Sequence, residues 1–366
     1  MDKAAGRTAS LGNARLIADR LGVAMTLSER LDRYQRRHRR AGFPLAVVYK
    51  FVDDDGYFLA ALLTYYGFLA IFPLLLLSST VLGVVLSGNP ELQQQVLDSA
   101  LRELPVIGAQ LSTPEQLSGG TTGVIIGSLV ALYGGSNLGQ ALQHTMSVAW
   151  AVPRHRRPDI ITSRLRSLAL LCTLGLLIIG STVLATLGAG IADAGLGLAV
   201  QVLLTIAAVF VNAAVFTLAF RLSSVRRLTV RQVAPGALAA AVTWQLLQTF
   251  GGLYIERVVA GASAVNAVFA LVLGLMAFLY LAAYVLVLCV EIDVVRVNHL
   301  YPRSLMTLFT DNVELTKGDE RVYADAAMAQ KAKGFQEVDV RFEDNVASEE
   351  ETAEDGSRTA SGSPSS

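Results

Sequence analysis

The sequence predicts an all-α integral membrane protein with six transmembrane helices, amphipathic interfacial helices and both termini in the cytoplasm. Six apolar segments each reach the ~20 residues that a helix needs to cross a hydrocarbon core. The mean hydropathy is +0.48 and only 16% of residues are charged, which is below the proportion usual in soluble domains. Most basic residues also fall on one side when the segments are threaded alternately across a membrane. The segments cover residues 58–86, 121–150, 167–190, 197–220, 235–254 and 264–290.

The distribution of basic residues sets the expected orientation. Of the 30 Lys and Arg residues, all but Arg102 and Arg257 lie in four regions that alternate threading places on the same side. Short basic loops stay in the cytoplasm, so both termini are expected there, and the first apolar segment is expected to act as an uncleaved signal. The outer loop, residues 88–118, predicts amphipathic helices on the outer interface. The four basic regions are residues 1–56, 151–166, 221–231 and 296–366.

Composition divides the chain into three regions. Residues 1–52 form a basic cytoplasmic or interfacial arm, residues 53–308 the six-helix membrane domain, and residues 309–366 an acidic cytoplasmic tail. The tail is too poor in apolar residues to build a core, so it is predicted to be largely disordered. A short helix near Arg321–Lys333 is the exception that its sequence allows.

The basic arm has two open interpretations. Leu27, Leu31 and Tyr34 recur at helical spacing among arginines, a pattern typical of an amphipathic helix on the inner membrane surface. The same charges suit a solvated arm that serves topology alone. Nucleic-acid binding is disfavoured, because no platform of aromatic residues is interleaved with the arginines.

The first apolar segment predicts a kinked helix with polar side chains. Asp53–Asp55 precede it and are expected to cap its positive end. An ion or metal site there is disfavoured, since no His or further carboxylate lies nearby in sequence. Pro73 removes one backbone hydrogen bond and predicts the kink. Tyr65 and Tyr66 are candidates for lining a substrate path, the alternative being hydrogen bonds that bridge helices.

The second apolar segment is the most polar. Two pairs of glycines have the four-residue spacing that lets helices approach closely. These pairs are Gly123 and Gly127, and Gly135 and Gly139. Asn137, Gln140 and His144 share one helical face, which is expected to turn toward other helices or a wet cavity because polar groups facing lipid are costly. The three are substrate-path candidates, with interior hydrogen bonding as the plainer alternative.

Later segments carry isolated polar residues and one acid. Asn212, Gln245 and Glu291 complete the substrate-path candidates. An acid at the end of a helix opposes the helix dipole, so Glu291 needs a compensating cation, and Arg221 is the expected partner. Pro235 is expected in the first turn of the fifth helix, where proline is harmless.

Arginines cluster after the second and fourth segments. Arg154, Arg156 and Arg157 lie in a short turn, and Arg221 closes the fourth segment. Guanidinium groups bind phosphate through paired hydrogen bonds, so these four are candidates for binding lipid headgroups. Topology alone, with Trp150 as an interfacial anchor, is the alternative explanation.

Three blocks of sequence resemble one family. They are the run LTYYGFLAIFPLLLL in the first segment, the basic turn after the second, and the stretch from VAPGALAAAVTWQ to VEIDVVR. Each is similar to a signature of the YihY/BrkB family of bacterial inner-membrane proteins, in its actinobacterial form. The resemblance covers about residues 45–305. Ile292 and Asp293 stand where many members have Leu-Asn, so a role carried by that Asn does not transfer directly.

The resemblance implies a six-span protein of the bacterial plasma membrane. Labels attached to members include a tRNA-processing ribonuclease, serum resistance and export of lipid precursors. The residues argue against a nuclease, because the four histidines are scattered and no acid cluster beyond Asp53–Asp55 looks able to hold catalytic metals. No P-loop motif is present. We therefore expect no enzymatic activity, cofactor, metal or nucleic-acid partner.

Two functions remain open. The first is transport or handling of a lipid or other envelope precursor through a cavity between the helices, with membrane lipids as partners. The second is a non-catalytic scaffold that associates with itself or with another envelope protein. A central cavity lined by Asn137, His144 and Glu291 would favour the first, and a tightly packed centre the second.

Overall fold

All regular secondary structure in the part of the chain that the structure describes is helical. The computed structural model describes residues 32, 35, 37, 39–85, 121–173, 198–258, 264–305, 307 and 313–342, and these contain no strand. The helices are α1 (Arg39–Asp53), α2 (Gly56–Val85), α3 (Thr121–Ala149), α4 (residues 160–173), α5 (Leu198–Ser223), α6 (Val230–Val258), α7 (Ala264–Asn298) and α8 (Lys317–Ala329). A short 3-10 turn, Arg154–Arg156, follows α3.

Helices α2 to α7 occupy the six predicted apolar segments, which confirms the all-α class for the described residues. Within the described residues, two stretches are long and apolar enough to cross a bilayer, Thr205–Ser223 in α5 and Val272–Asn298 in α7, and Gly56–Ile71 is a shorter apolar stretch. Several predictions lie outside the described residues. They concern the first 31 residues, the outer-loop helices at 88–118, and the third segment beyond residue 173.

Helix α7 packs against four other helices, α1, α2, α3 and α6. Helix α2 also packs along α3, and α6 along α5. The outer surface of the bundle carries many apolar side chains, for example Leu203 and Phe210 of α5 and Leu273 of α7. Large exposed apolar surface is rare on soluble proteins. A lipid environment explains it.

The crossing of α3 and α4 confirms the role predicted for the second glycine pair. A Cβ on Gly139 would lie 2.8 Å from the Cα of Ser167, and one on Gly135 would lie 2.6 Å from a methyl of Leu171. These partners are also four residues apart, so the two helices meet along matching turns. One turn further, Gln143 hydrogen bonds to Ser163 and Ser167. The small residues therefore allow the two helices to approach closely, and the hydrogen bonds of the Gln143 amide join them.

Pro235 lies in the second turn of α6, because the helix begins at Val230; the prediction of a first-turn position was wrong. A proline cannot donate to the carbonyl four residues earlier, which here belongs to Arg231. Arg296 of α7 supplies a donor instead. Its Nη2 lies 2.8 Å from the carbonyl oxygens of both Arg231 and Gln232. The proline is tolerated because a neighbouring helix satisfies the backbone.

Gly236 allows α6 to lie directly against α7. Its backbone N–H donates to Oδ1 of Asp293 at 2.8 Å, and a Cβ would collide with the same carboxylate and with the carbonyl of Cys289. An Asn at 293 would offer an equivalent amide oxygen as acceptor. The departure from the Leu-Asn pattern therefore leaves this contact intact.

Asp53 and Asp54 do not cap α2, which corrects the prediction. The turn between α1 and α2 is made by Asp55, whose φ is 53° and whose carbonyl accepts the N–H groups of Phe58 and Leu59. Instead, the Asp53 and Asp54 side chains form ion pairs with cations at the end of the bundle where α1 and α8 lie, which we call the base. These ion pairs form because one cation lies a helical turn earlier in α1 and the other reaches the acids from the segment after α7.

Two predicted region boundaries also need correction. Ala46 of α1 and Val322 of α8 belong to the same buried cluster as Leu300, at the end of α7. Residues 39–52 are therefore part of the bundle and not of a separate arm. The short helix predicted in the tail is present, but it begins at Lys317, where Thr316 and Asp319 form a capping box. Helix α8 is therefore the exception that the sequence allowed, and it begins four residues earlier than expected.

Candidate functional site

A cavity of about 320 Å³ occupies the centre of the bundle. All six helices from α2 to α7 contribute to its wall, at residues 63–71, 135–142, 170–173, 215–220, 240–247 and 279–286 respectively. Its size falls at the lower end of the roughly 300–1,000 Å³ typical of ligand pockets. The position between several helices makes it the candidate site of this protein.

The cavity wall is apolar, with two minor exceptions. The hydroxyl of Thr173 donates to the carbonyl of Leu170 at 2.7 Å and is therefore already satisfied. The indole N–H of Trp244 is buried and has no acceptor among the described residues. Gly67 borders the cavity where an added Cβ would meet no atom within 4 Å. Among the described residues, the wall therefore offers a ligand mainly dispersion contacts.

None of the eight predicted substrate-path residues lines this cavity. By burial, Asn212 and Glu291 are buried, Tyr66, Asn137, Gln140 and Gln245 are partly buried, and Tyr65 and His144 are exposed. The inward orientation expected for His144 was wrong, since it lies near the end of α3 beside Arg154 and Arg157. Helix α3 instead buries Gln143. A role for the eight in a substrate path stays a prediction.

The four predicted headgroup-binding arginines lie at the surface or near it. Arg154 and Arg156 are exposed in the 3-10 turn. Arg157 donates through Nε to the carbonyl of Val152 at 3.3 Å, and Arg221 donates to that of Leu228 at 3.0 Å. Burial, and then the charge of Arg154, lower the pKa of Arg157. An anion near this turn would relieve that repulsion, and headgroup binding stays a prediction.

The turn after α3 also contacts other segments of the base. Trp150 is buried, and Arg226 lies over its ring at 5.7 Å, a cation–π contact that the sequence did not suggest. The backbone N–H of His155 donates to the carbonyl of Lys331, after α8, at 3.2 Å. The turn after α3 and the end of α8 therefore lie on the same end of the bundle.

A buried ion-pair network at this base was missed by sequence reasoning. The Arg303 side chain is fully buried, and it pairs with Asp53 at 2.8 Å and, through Nε, with Asp319. The guanidinium carbon of Arg303 lies 6.0 Å from the ring centroid of Tyr49 and 5.7 Å from that of Tyr323. Although burial alone would lower it, the pKa of Arg303 is raised because the two carboxylates face it. The network joins α1, the segment after α7, and α8.

A second buried group of charges lies beside this network. The ammonium of Lys50 pairs with the carboxylate of Asp54, and Glu291 of α7 interacts with both. Arg221 is not the partner of Glu291, so that prediction was wrong. Arg221 is exposed and donates to a backbone carbonyl. Lys50 is near Glu291 instead, because α1 packs against α7.

The long apolar helices, the apolar exterior and the apolar central cavity define this chain as a helical membrane protein. It belongs to the family of Virulence factor BrkB, whose sequence profile matches residues 47–306. The match confirms the resemblance seen in three blocks of sequence. No curated protein and no solved structure matches the chain. The matched region contains Lys50, Asp54, Glu291 and Arg303, but it ends before α8.

Proposed function

We propose that this chain is a non-enzymatic protein of the bacterial plasma membrane that holds the hydrocarbon part of a lipid or other envelope precursor between its helices. The central apolar cavity carries this proposal. The atoms around an empty cavity lack dispersion partners, and a hydrocarbon chain would restore those contacts. A polar solute would lose its hydrogen bonds to water there without gaining replacements.

Six spans with both termini in the cytoplasm are part of the proposal. One buried cluster contains a residue from α1, the turn after α3, the link between α5 and α6, the end of α7, and α8. These residues are Ala46, Trp150, Leu228, Leu300 and Val322. Alternating spans would bring those five regions to the same side of a membrane. Their Lys and Arg content favours the cytoplasmic side.

An amphiphile fits the surroundings of the cavity better than a plain hydrocarbon. The exposed Arg154 and Arg156 are available to a phosphate headgroup at the basic end. These features support a lipid with an anionic headgroup as ligand class.

The test fills the cavity from a position that tolerates added bulk. Gly67→Leu extends a side chain from the cavity wall into open space, so the helix packing is preserved. Ala61→Leu adds bulk to the exposed face of the same helix and serves as the matched control. Native mass spectrometry of the purified proteins measures the lipid that each retains. We expect Gly67→Leu to reduce retained lipid roughly tenfold, the effect of losing ~1.4 kcal/mol of contacts.

Equal lipid retention in the two variants would contradict hydrocarbon binding in the cavity. A scaffold needs no occupant there, so that result would favour the scaffold function. Retention that falls in Ala61→Leu but not in Gly67→Leu would place the lipid on the outer surface of α2.

A further inference from the structure

The buried charges at the base do not balance. Among the described residues of the base, Lys50 and Arg303 are the buried cations, and four carboxylates raise their pKa values; a fifth, the exposed Asp325, lies near Lys50 but also near two exposed arginines. The four are Asp53, Asp54, Glu291 and Asp319. If all six groups were ionised, two positive charges would face four negative ones. Uncompensated charge in a buried site is strongly unfavourable, so the cluster favours uptake of positive charge.

The carboxylates around Arg303 are well supplied with donors. Asp319 accepts from Arg303, from the backbone N–H groups of Ser304 and Thr316 at 3.0 and 2.9 Å, and from the Thr316 hydroxyl at 2.7 Å. Asp53 accepts from Arg303 at 2.8 Å. Hydrogen bonds to the ionised form favour that form. These two groups are therefore suited to carry negative charge.

Glu291 differs from the other three carboxylates in its hydrogen bonding. It is fully buried, as Asp319 is, but neither of its carboxyl oxygens has a donor among the described residues. The carboxyl group of Asp54 lies where a hydrogen bond to Glu291 forms once one of the two carries a proton. Lys50 can neutralise one of these two acids but not both. The arrangement is a carboxyl pair with one cation.

We propose that Glu291 and Asp54 bind one proton between them and that the base of the bundle is therefore a proton-binding site. In the occupied state, a carboxyl O–H of Glu291 donates to the carboxylate of Asp54, which keeps its ion pair with Lys50. Uptake takes one proton from water and makes the cluster more positive by one charge. No covalent bond other than O–H forms or breaks.

The charged groups around the pair support this assignment. Burial raises the pKa of Asp54 even though Lys50 opposes the effect. Burial alone would lower the pKa of Lys50, but Glu291 and Asp54 raise it, so Lys50 stays charged while the pair titrates. Asp53 on α1 is the other neighbouring acid, and Asp325 of α8 also interacts with Lys50.

A proton fits this site better than a metal ion. Hard cations such as Ca²⁺ require several oxygen ligands around one point. Among the residues with described positions, no three or more His, Cys, Asp or Glu side chains are grouped to hold a metal. The ammonium of Lys50 also occupies the place beside Asp54 that a cation would take.

The experiment is an infrared pH titration of the full-length protein in lipid nanodiscs. A protonated carboxylic acid has a C=O band distinct from the bands of a carboxylate, so the band reports the proton directly. We expect wild-type protein to show this band at neutral pH and to lose it as the pH rises. Both Glu291→Gln and Asp54→Asn should abolish the band component, because each removes one half of the pair. Asp293→Asn removes another buried carboxyl on the same helix and is the matched control: whatever the Asp293 carboxyl itself contributes, the band component that Glu291→Gln abolishes should remain.

Three results would overturn the proposal. One is the absence of a protonated-carboxyl band in the wild-type protein, a measurement that needs no variant to fold. Another is retention of the whole band in Glu291→Gln. The third is a titration that moves when NaCl replaces choline chloride, which would identify the ligand as a metal cation. Since lipid retention and the infrared band are separate measurements, this inference stands or falls independently of the lipid proposal.

Discussion

The interior of this protein has two regions that are built on opposite principles. The central cavity is walled by apolar side chains from six helices and uses almost no hydrogen bonds. The base is held by Lys50, Arg303 and four acids, with α1 and the segment after α7 supplying the cations. One buried cluster connects the two, since Phe220 of the cavity wall packs in the same group as Val322 of α8.

The difference lies in how each region responds to a missing or added group. Apolar contacts are numerous and individually weak, so a substitution at the cavity changes the free energy through many small contributions. A buried ion pair has few partners, and removing one leaves the other charged and unsatisfied. The cavity is thus suited to a variable occupant, while the base is suited to hold α1 and α8 in fixed positions.

The largest expected effect is at Arg303. Arg303→Met keeps much of the side-chain volume but leaves Asp53 and Asp319 without their cation. We expect the free energy of unfolding to fall by about 3–5 kcal/mol, the usual consequence of breaking one side of a buried pair. Thermal unfolding of the detergent-solubilised protein, followed by tryptophan fluorescence, measures the loss.

Arg341→Met is the control for this prediction. Arg341 forms an ion pair with Asp339 in which both side chains are exposed. Exposed pairs add little stability, so no measurable change is expected. If Arg303→Met were no more damaging than Arg341→Met, the base would not be the rigid region that the comparison requires.

Replacing either of two helical glycines with alanine should change the free energy of unfolding less, and in opposite directions at the two positions. Gly236→Ala should destabilise by about 1–3 kcal/mol, because its Cβ would strike the backbone carbonyl of Cys289 and the carboxylate of Asp293. Gly67→Ala should instead stabilise by up to ~1 kcal/mol, because alanine is the better helix former and the cavity leaves room for the methyl group. Unfolding curves of the two variants in the same detergent provide the comparison. Equal signs would contradict the close approach at Gly236 or the open space at Gly67.

The sequence predicted what is encoded within single helices. Long apolar runs define α2 to α7, and the spacing of Gly135 and Gly139 correctly indicated a close helix crossing. Both signals are local, because helix length and the face on which small residues fall do not depend on distant partners. The apolar cavity was not predictable in this way, since its wall combines residues from six helices.

The base was missed because its partners are far apart in the sequence. Lys50 and Arg303 were counted only as topology signals, and Glu291 was assigned to Arg221, the nearest basic residue closing a span. One local signal was available: Lys50 and Asp54 have the i,i+4 spacing of a helical ion pair. It would have joined Lys50 to the acids, but the docking of α1 beneath α7 was still needed to place Glu291 beside them.

The smallest effect tests how α3 presents its polar face, where sequence and structure disagree. The sequence favoured Gln140 as an interior residue, whereas the structure buries Gln143 and gives it three hydrogen bonds to α4, with Ser163 and Ser167. Gln143→Leu should destabilise by about 1 kcal/mol, since individual interhelical bonds in membranes contribute ~0.6 kcal/mol on average. Gln140→Leu should be close to neutral, because Gln140 donates to the carbonyl and hydroxyl oxygens of Ser136 on its own helix, at 3.4 Å. A larger loss for Gln140→Leu in the same thermal assay would mean that α3 is rotated toward the face that the sequence suggested, and the wall of the cavity would then have to be redrawn.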